Sequence, residues 1–199
     1  MSKLKFNPRN IVLLVMILAI TLLRLLVTFN SDIFAFANFS SIGAVALFGG
    51  AYFKDHIKAF AFPILSLFLS DIILANTIYK QYSADFLYQG WYWVYIAFVL
   101  MVLAGKLIMR NKVNSMNFAI AALTSIFIHW IITDLGVWYN NPIYTQDVSG
   151  YVMCLMAAIP FELKFLGATV AYGAVLFGGF ELLKSKYPML QIGNTARIA

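Results

Sequence analysis

The chain has 199 residues, of which 62% are hydrophobic and only 11% are charged, and its mean hydropathy is +0.84. So apolar a composition excludes a water-soluble globular domain and indicates a membrane protein. The net charge of +6 could suggest a nucleic-acid-binding protein, but the basic residues are spread over alternate chain connections rather than gathered in one patch, which excludes that class as well.

The apolar stretches are continuous and do not alternate with polar residues, which predicts membrane-spanning helices rather than a β-barrel. Six spans are predicted in an all-α membrane domain over residues 11–183, between an N-terminal segment 1–10 and a tail 184–199. The spans are predicted at residues 11–29, 36–53, 59–77, 91–109, 119–138 and 161–183. The apolar stretch 151–159 is too short to span, which predicts a re-entrant or interfacial helix that ends at Pro160.

The charges are distributed unequally between the two ends of these spans. Eleven of the 14 basic residues fall before the first span, after the sixth, or in the connections between spans two and three and spans four and five. Acidic residues concentrate toward the opposite side. They are Asp32, Asp71, Asp85, Asp134, Asp147 and Glu162. By the positive-inside rule, both termini are predicted to be cytoplasmic, with the protein in a bacterial inner membrane.

The fifth predicted span carries an acidic residue among apolar ones. Trp130, Asp134 and Trp138 are spaced i, i+4 and i+8 and therefore share one face of a helix. Lipid would penalise an ionised carboxylate there by a few kcal/mol, so this face is expected to look into the protein or into a wet cavity. Asp134 is then either part of a functional site or held structurally by one buried partner.

Polar and aromatic residues recur in the outer half of every predicted span, while the inner halves are almost entirely apolar. This asymmetry predicts an outward-open cup that binds a solute with mixed polar and apolar surface, since an ion pore would need polar lining throughout. The residues predicted to line the cup are Arg24, Asn38, Ser41, Asp71, Trp91, Trp93, His129, Trp130, Asp134 and Trp138. Alternatively, Arg24 only neutralises Asp71 or Asp134 in a structural ion pair.

Other motifs limit the chemistry. The single cysteine, Cys154, excludes an internal disulfide and is either a small apolar filler or a soft ligand for a metal-bearing solute. The sequence has no HExxH, GxSxG, P-loop or CxxC motif, so we expect no enzymatic activity, no cofactor and no ATP hydrolysis by this chain.

A short sequence, LFGG, occurs twice, at residues 47–50 and 176–179. Small residues of this kind allow helices to pack closely within one chain. The alternative is that Gly49, Gly50, Gly178 and Gly179 form smooth surfaces on which another membrane subunit docks.

Several segments together resemble an uncharacterised bacterial integral-membrane family that is described as putative transport protein. They are NFSSIGAVALFGGAYF (38–53), FPILSLFLSDIIL (62–74), TDLGVWY (133–139), SGYVMCLMAAIPFELKFLG (149–167) and VLFGGFEL (175–182). The chain departs from that family at Asp134, where Asn is usual, and at Gly167–Ala168, where Gly-Asp is usual. The resemblance implies six helices and a role in transport.

The architecture is also similar to the substrate-binding S components of energy-coupling factor transporters. That similarity implies a vitamin-like solute and a complex with a transmembrane T subunit and two ATPases. A substrate-binding subunit for micronutrient uptake is therefore the leading hypothesis. The alternatives are a stand-alone ion-coupled carrier, with Asp134 and His129 as a proton relay, and a membrane scaffold that transports nothing.

Overall fold

The computed structural model describes residues 7–30, 39–80 and 86–191. This part of the chain is all-helical and contains no strand, which confirms the predicted fold class. The helices are α1 (Pro8–Asn30), α2 (Ile42–Tyr52), α3 (His56–Asn76), α4 (Trp91–Ile108), α5 (Ser115–Trp138), α6 (Val148–Gly173) and α7 (Gly179–Lys186).

Five helices are long and apolar enough to cross a membrane, and they make the chain a multi-pass membrane protein. The last of them is a continuous 39-residue helix, Val148–Lys186, in which a π-helical segment (Ala174–Gly178) joins α6 to α7. The predicted second span appears as α2, whose 11 residues rise only about 17 Å against the roughly 30 Å of a hydrocarbon core. Residues 36–38 of that predicted span lie outside the described residues.

The short helix α2 is the centre of the bundle and packs against α1, α3, α4, α5 and α6. Nine of its 11 residues are buried, as expected for a helix that is apolar on all sides. Its contact with α4 is close: a Cβ added at Gly50 would lie 2.2 Å from the carbonyl oxygen of Val102, and one at Gly105 would lie 2.8 Å from that of Leu47. The two backbones can approach this far because both helices carry glycine at the crossing.

This packing bears on the four glycines considered for a partner surface. Gly49 and Gly50 are buried inside the chain, and a Cβ on Gly49 would lie 2.3 Å from Cγ of Pro63. Gly178 is exposed with no atom within 4 Å of an added Cβ, and Gly179 faces Met16. The first LFGG sequence therefore serves the protein's own core, and only the second leaves a glycine open at the surface.

The prediction of a separate short helix ending at Pro160 was wrong. Residues 151–159 form the first half of α6, which continues through Pro160 without a break. This segment packs along α5, where the Trp130 indole N–H donates to the carbonyl of Leu155 at 2.9 Å and the Tyr151 hydroxyl donates to that of Ile131 at 2.7 Å. Contacts to a neighbouring helix allow a proline inside a membrane helix.

The two ends of the described chain meet at one end of the bundle. Arg9 donates one hydrogen bond to the carbonyl of Leu190 at 2.6 Å and another to that of Tyr52 at 3.1 Å. The N-terminal and C-terminal segments therefore lie on the same side of the bundle. The assignment of this side to the cytoplasm stays a prediction.

Candidate functional site

A cavity of about 420 Å³ lies between α4, α5 and α6, under the loop that joins α5 to α6. Its polar lining consists of His129, Thr133, Asp134, Tyr144, Cys154 and Glu162. Val94, Val137, Ala157, Ala158 and Phe161 supply the apolar walls. We call this space the α5–α6 cavity. Its size and mixed lining fall within the range of small-molecule sites.

A buried ionisable pair, His129 and Glu162, joins the two helices at the cavity. Nδ1 of His129 lies 2.8 Å from Oε1 of Glu162, and both residues are buried. The imidazole also packs against the ring of Phe165, with 4.3 Å between centroids. Because α5 and α6 run antiparallel, the middle of one helix lies beside the middle of the other. The His129–Glu162 pair fixes the position of α5 relative to α6 along their axes and the orientation of the imidazole.

Asp134 is a buried acid near this pair but is not bonded to it. It is 7% exposed and has no ion-pair partner among the described residues, although His129 and Glu162 lie near enough to act on its charge. Oδ2 of Asp134 and Oε2 of Glu162 are both buried without a hydrogen-bond partner in the described part of the chain. Two acceptor oxygens on cavity-lining residues can therefore still accept a hydrogen bond from a donor. Burying them without one lowers the stability of the protein.

The loop above the cavity is held by specific hydrogen bonds. Tyr144 interacts through its hydroxyl with the thiol of Cys154, whose Sγ lies 3.7 Å from the backbone carbonyl oxygen of Asp134. Asp147 caps α6 by accepting from the backbone N–H of Gly150 and from the Thr145 hydroxyl, each at 2.8 Å. The Gly150 N–H, followed by the Thr145 hydroxyl, holds the pKa of Asp147 below its usual range.

A second polar cluster lies on the other side of the bundle, around Arg24. Nη2 of Arg24 is 3.0 Å from Oδ1 of Asp71, and Nη1 donates to the Ser70 hydroxyl. The hydroxyls of Tyr88 and Tyr95 also lie near the Asp71 carboxyl, although neither the Tyr95 hydroxyl nor Oδ2 of Asp71 makes a hydrogen bond of ordinary geometry. Of the two acids considered as partners for Arg24, the structure selects Asp71. We call this group the Arg24 cluster.

The Arg24 cluster leaves little free space. The cavity beside it has room for about one water molecule, and its polar lining comes from Thr21, Arg24, Ser41, Ser66 and Ser70. Ser41 is buried here, at the start of α2. The guanidinium is thus surrounded by the chain's own hydroxyl and carboxyl groups.

The cup predicted as one space is therefore two separate sites in the described residues. The α5–α6 cavity and the small cavity at Arg24 share no lining residue. Helix α4 borders both, through Val94 in the first and Phe98 in the second. The rest of the first lining comes from α5, α6 and their loop, and the rest of the second from α1, α2, α3 and Ser41. His129 and Asp134 come together, as do Arg24, Ser41 and Asp71. Asn38 lies outside the described residues.

The four predicted aromatic wall residues are all placed around these sites rather than in the lining of the α5–α6 cavity. Trp93 packs on Gly136, where an added Cβ would lie 2.3 Å from the indole Cδ1. Trp130 is hydrogen-bonded to α6, as described above. The Trp138 indole N–H donates to the carbonyl of Thr145 at 2.9 Å, and Trp91 is 41% exposed. These side chains position α4, α6 and the loop.

The family model that matches this chain covers residues 4–190. The chain belongs to a family of unknown function, DUF6580. Neither the curated proteins nor the solved structures include a match to it. The DUF6580 match spans all of the described helices, so the α5–α6 cavity and the Arg24 cluster both lie within the family region.

Sequence reasoning missed two residues of the α5–α6 cavity in this DUF6580 chain, Glu162 and Tyr144. Glu162 lies in the first turn of the predicted span 161–183, and Tyr144 lies in the connection between predicted spans, where neither is expected to face a site. The signal for Glu162 was available, since an acid two residues after Pro160 in an apolar stretch is costly in lipid unless it is paired. Cys154 was considered, but its place beside Asp134 depends on α6 being unbroken.

Proposed function

We propose that this chain is a membrane-embedded solute-binding protein for uptake, and that the α5–α6 cavity is its binding site. The observation that carries the proposal is the pair of buried, unpartnered carboxylate oxygens, one on Asp134 and one on Glu162, beside a single cavity of about 420 Å³. In membrane helices such groups are rare and typically functional. The proposed role is binding and not catalysis.

The chemistry of the lining favours a small organic cation as the solute. Two carboxyl groups and one imidazole line the cavity, so acidic groups outnumber the one group that can carry a positive charge. An ammonium group that enters the cavity could donate to the two unpartnered oxygens, while Val94, Val137 and Phe161 contact an apolar body. Vitamin-like amines of moderate size have this combination of features.

The proposed mode of transport is that of an S component, in which a separate complex drives release. Three features support it: the apolar helical architecture, the lack of an ATPase motif in the sequence, and the open glycine at position 178. The proposed partners are a transmembrane T subunit and two ATPases. Replacing Gly178 with Leu would then reduce co-purification of those subunits without changing the unfolding temperature of this chain.

The test of the binding site is mass spectrometry of small molecules retained after mild detergent purification. We expect an organic cation with the wild-type chain and with Asp55→Asn, an exposed acid outside the cavity. We expect at least a tenfold loss with Asp134→Asn and with Glu162→Gln. Retention of the same cation by these cavity variants would refute the site, and a chain that retains nothing from its native membrane would favour a scaffold.

A second function, an ion-coupled carrier that acts alone, is favoured by one specific arrangement. His129, Asp134 and Glu162 are three ionisable groups around one cavity, as a proton relay would need. This carrier would take up the retained cation into proteoliposomes in response to a pH gradient, without any ATPase. The S-component mode predicts binding but no such uptake.

A further inference from the structure

A second large cavity lies at the opposite end of the bundle, where the C-terminal ends of α2 and α4 meet the start of α3. It has a volume of about 440 Å³. Four groups that can carry positive charge line it: Lys54, His56, Lys106 and Arg110. Among the described residues no acidic side chain lines it, and the nearby Asp55 carboxylate accepts from the backbone N–H of Lys58. The cavity is therefore electropositive.

The basic side chains of this cavity form no ion pair within the described part of the chain. The ion pairs found there involve other basic residues, namely Arg24, His129 and Lys184. Lys106 donates only one long hydrogen bond, at 3.4 Å, to the carbonyl of Phe53. Lys54 and Arg110 are exposed at the rim. Three basic side chains thus surround a space that an anion can enter.

An apolar track leads away from the same cavity along α4. Leu103 and Leu107 line the cavity and are 38% and 62% exposed, and Leu100 and Ile96 continue the exposed face toward the other end of the helix. From Ile96 to Leu107 the helix rises about 16 Å, which is comparable with one acyl chain. A phospholipid with an anionic headgroup and apolar acyl chains is complementary to a basic cavity that continues into an apolar helix face.

We propose that this cavity binds the headgroup of an anionic phospholipid, with Lys54, Lys106 and Arg110 around the phosphate and an acyl chain along Leu103 and Leu107. Basic pockets between membrane helices are suited to such headgroups because the surrounding lipid supplies the apolar part of the ligand. This cavity shares no lining residue with the α5–α6 cavity. The bound lipid would join α2, α3 and α4 at this end of the bundle.

The test compares the unfolding temperature of the full chain in neutral detergent after addition of phosphatidylglycerol, phosphatidylcholine or inorganic phosphate. We expect phosphatidylglycerol to raise it by several degrees, and the other two to raise it by less than a third as much. The effect of phosphatidylglycerol should weaken as the salt concentration rises. If inorganic phosphate raised the unfolding temperature equally, the cavity would be a site for a free anion and not for a lipid. If phosphatidylcholine raised it equally, the negative charge of the headgroup would not matter and the proposal would be wrong.

Variants separate this site from general surface charge. Lys54→Gln combined with Arg110→Gln removes two rim charges from exposed side chains, so folding should be retained, and we expect at least a threefold weaker response to phosphatidylglycerol. Lys106→Gln should have the same effect. Lys112→Gln is the matched control, because this basic residue is exposed near Arg110 but does not line the cavity. An equal loss with Lys112→Gln would contradict the proposal.

Discussion

The Arg24 cluster and the α5–α6 cavity contain similar residues but differ in how far the chain itself pairs their charges. In the Arg24 cluster, a cation faces Asp71 and a ring of hydroxyl groups, and the remaining space holds about one water molecule. In the α5–α6 cavity, the cation-forming group His129 bonds one acid, while a second acid, Asp134, lines an open space of about 420 Å³.

This difference separates two ways in which a membrane protein can keep charged groups inside. A charge that is matched by its own chain stabilises the packing of helices as long as both partners are present. A charge that is left unmatched beside a cavity weakens the empty protein and can be compensated by a ligand. The Arg24 cluster is of the first kind, because it ties α1 to α3. The α5–α6 cavity is of the second kind.

The largest expected effect is loss of stability on removing Asp71. Asp71→Ala leaves Arg24 in the bundle without its counter-charge, which should lower the free energy of unfolding by about 3 kcal/mol. Asp134→Ala removes an unpartnered acid and should change it by less than about 1 kcal/mol. Denaturant unfolding in mixed micelles measures both. If Asp134→Ala were the more destabilising variant, the assignment of the two sites would have to be reversed.

A smaller loss is expected when both members of the Arg24 pair are replaced by apolar residues. Arg24→Leu with Asp71→Leu leaves no buried charge, so the double variant should recover at least half of the stability lost in Asp71→Ala. The same unfolding assay checks this. A double variant no more stable than the single one would show that the hydroxyl groups, and not the ion pair, hold this site.

An intermediate effect is expected where α4 meets α5 beside the cavity. Gly136→Ala places a Cβ 2.3 Å from the Trp93 indole, and the displacement should cost about 1–3 kcal/mol and reduce retention of the cation. Gly167→Ala is the control, because no atom lies within 4 Å of its added Cβ. If retention were unchanged in Gly136→Ala, the close contact of Gly136 with Trp93 would not be needed for the shape of the cavity.

The smallest effect concerns the loop that closes the cavity. The hydrogen bonds to Asp147 lower its pKa in the folded state. They therefore stabilise the α6 cap fully at pH values above the ordinary carboxyl pKa of about 3.9, and this stabilisation is lost as the pH falls through the lowered pKa of the folded state. The gap in unfolding temperature between the wild type and Asp147→Ala should therefore narrow below about pH 4. A gap independent of pH would show that the charge of Asp147 does not contribute.

The helices, and the need of Arg24 for an acidic partner, could be inferred from the sequence because each depends on local or charge-matching rules. Long apolar stretches place α1, α3, α4 and α5 to within a few residues. A lone arginine in such a stretch requires an acid at a similar depth. The sequence could not choose between Asp71 and Asp134, since that choice depends on which helix lies beside α1.

The division of the predicted cup could not be inferred, because it follows from the rotation and order of helices around α2. Depth along a span says nothing about which neighbouring helices a residue faces. The wrong prediction that a helix ends at Pro160 had a further consequence. It placed Glu162 at the start of a helix instead of in the middle of α6, beside His129. Helix neighbours decide whether a proline breaks a membrane helix, and they are known only once the fold is known.

The most direct test of the cavity uses Cys154, the single cysteine of the chain, as a reporter of the local charge. Its modification by cationic 2-aminoethyl methanethiosulfonate is compared with that by anionic 2-sulfonatoethyl methanethiosulfonate, each relative to 2-mercaptoethanol. We expect a preference for the cationic reagent of at least about tenfold, falling toward one in Asp134→Asn with Glu162→Gln. No preference in the wild type, or one unchanged in the variant, would contradict the assignment of the α5–α6 cavity as a cation-binding site.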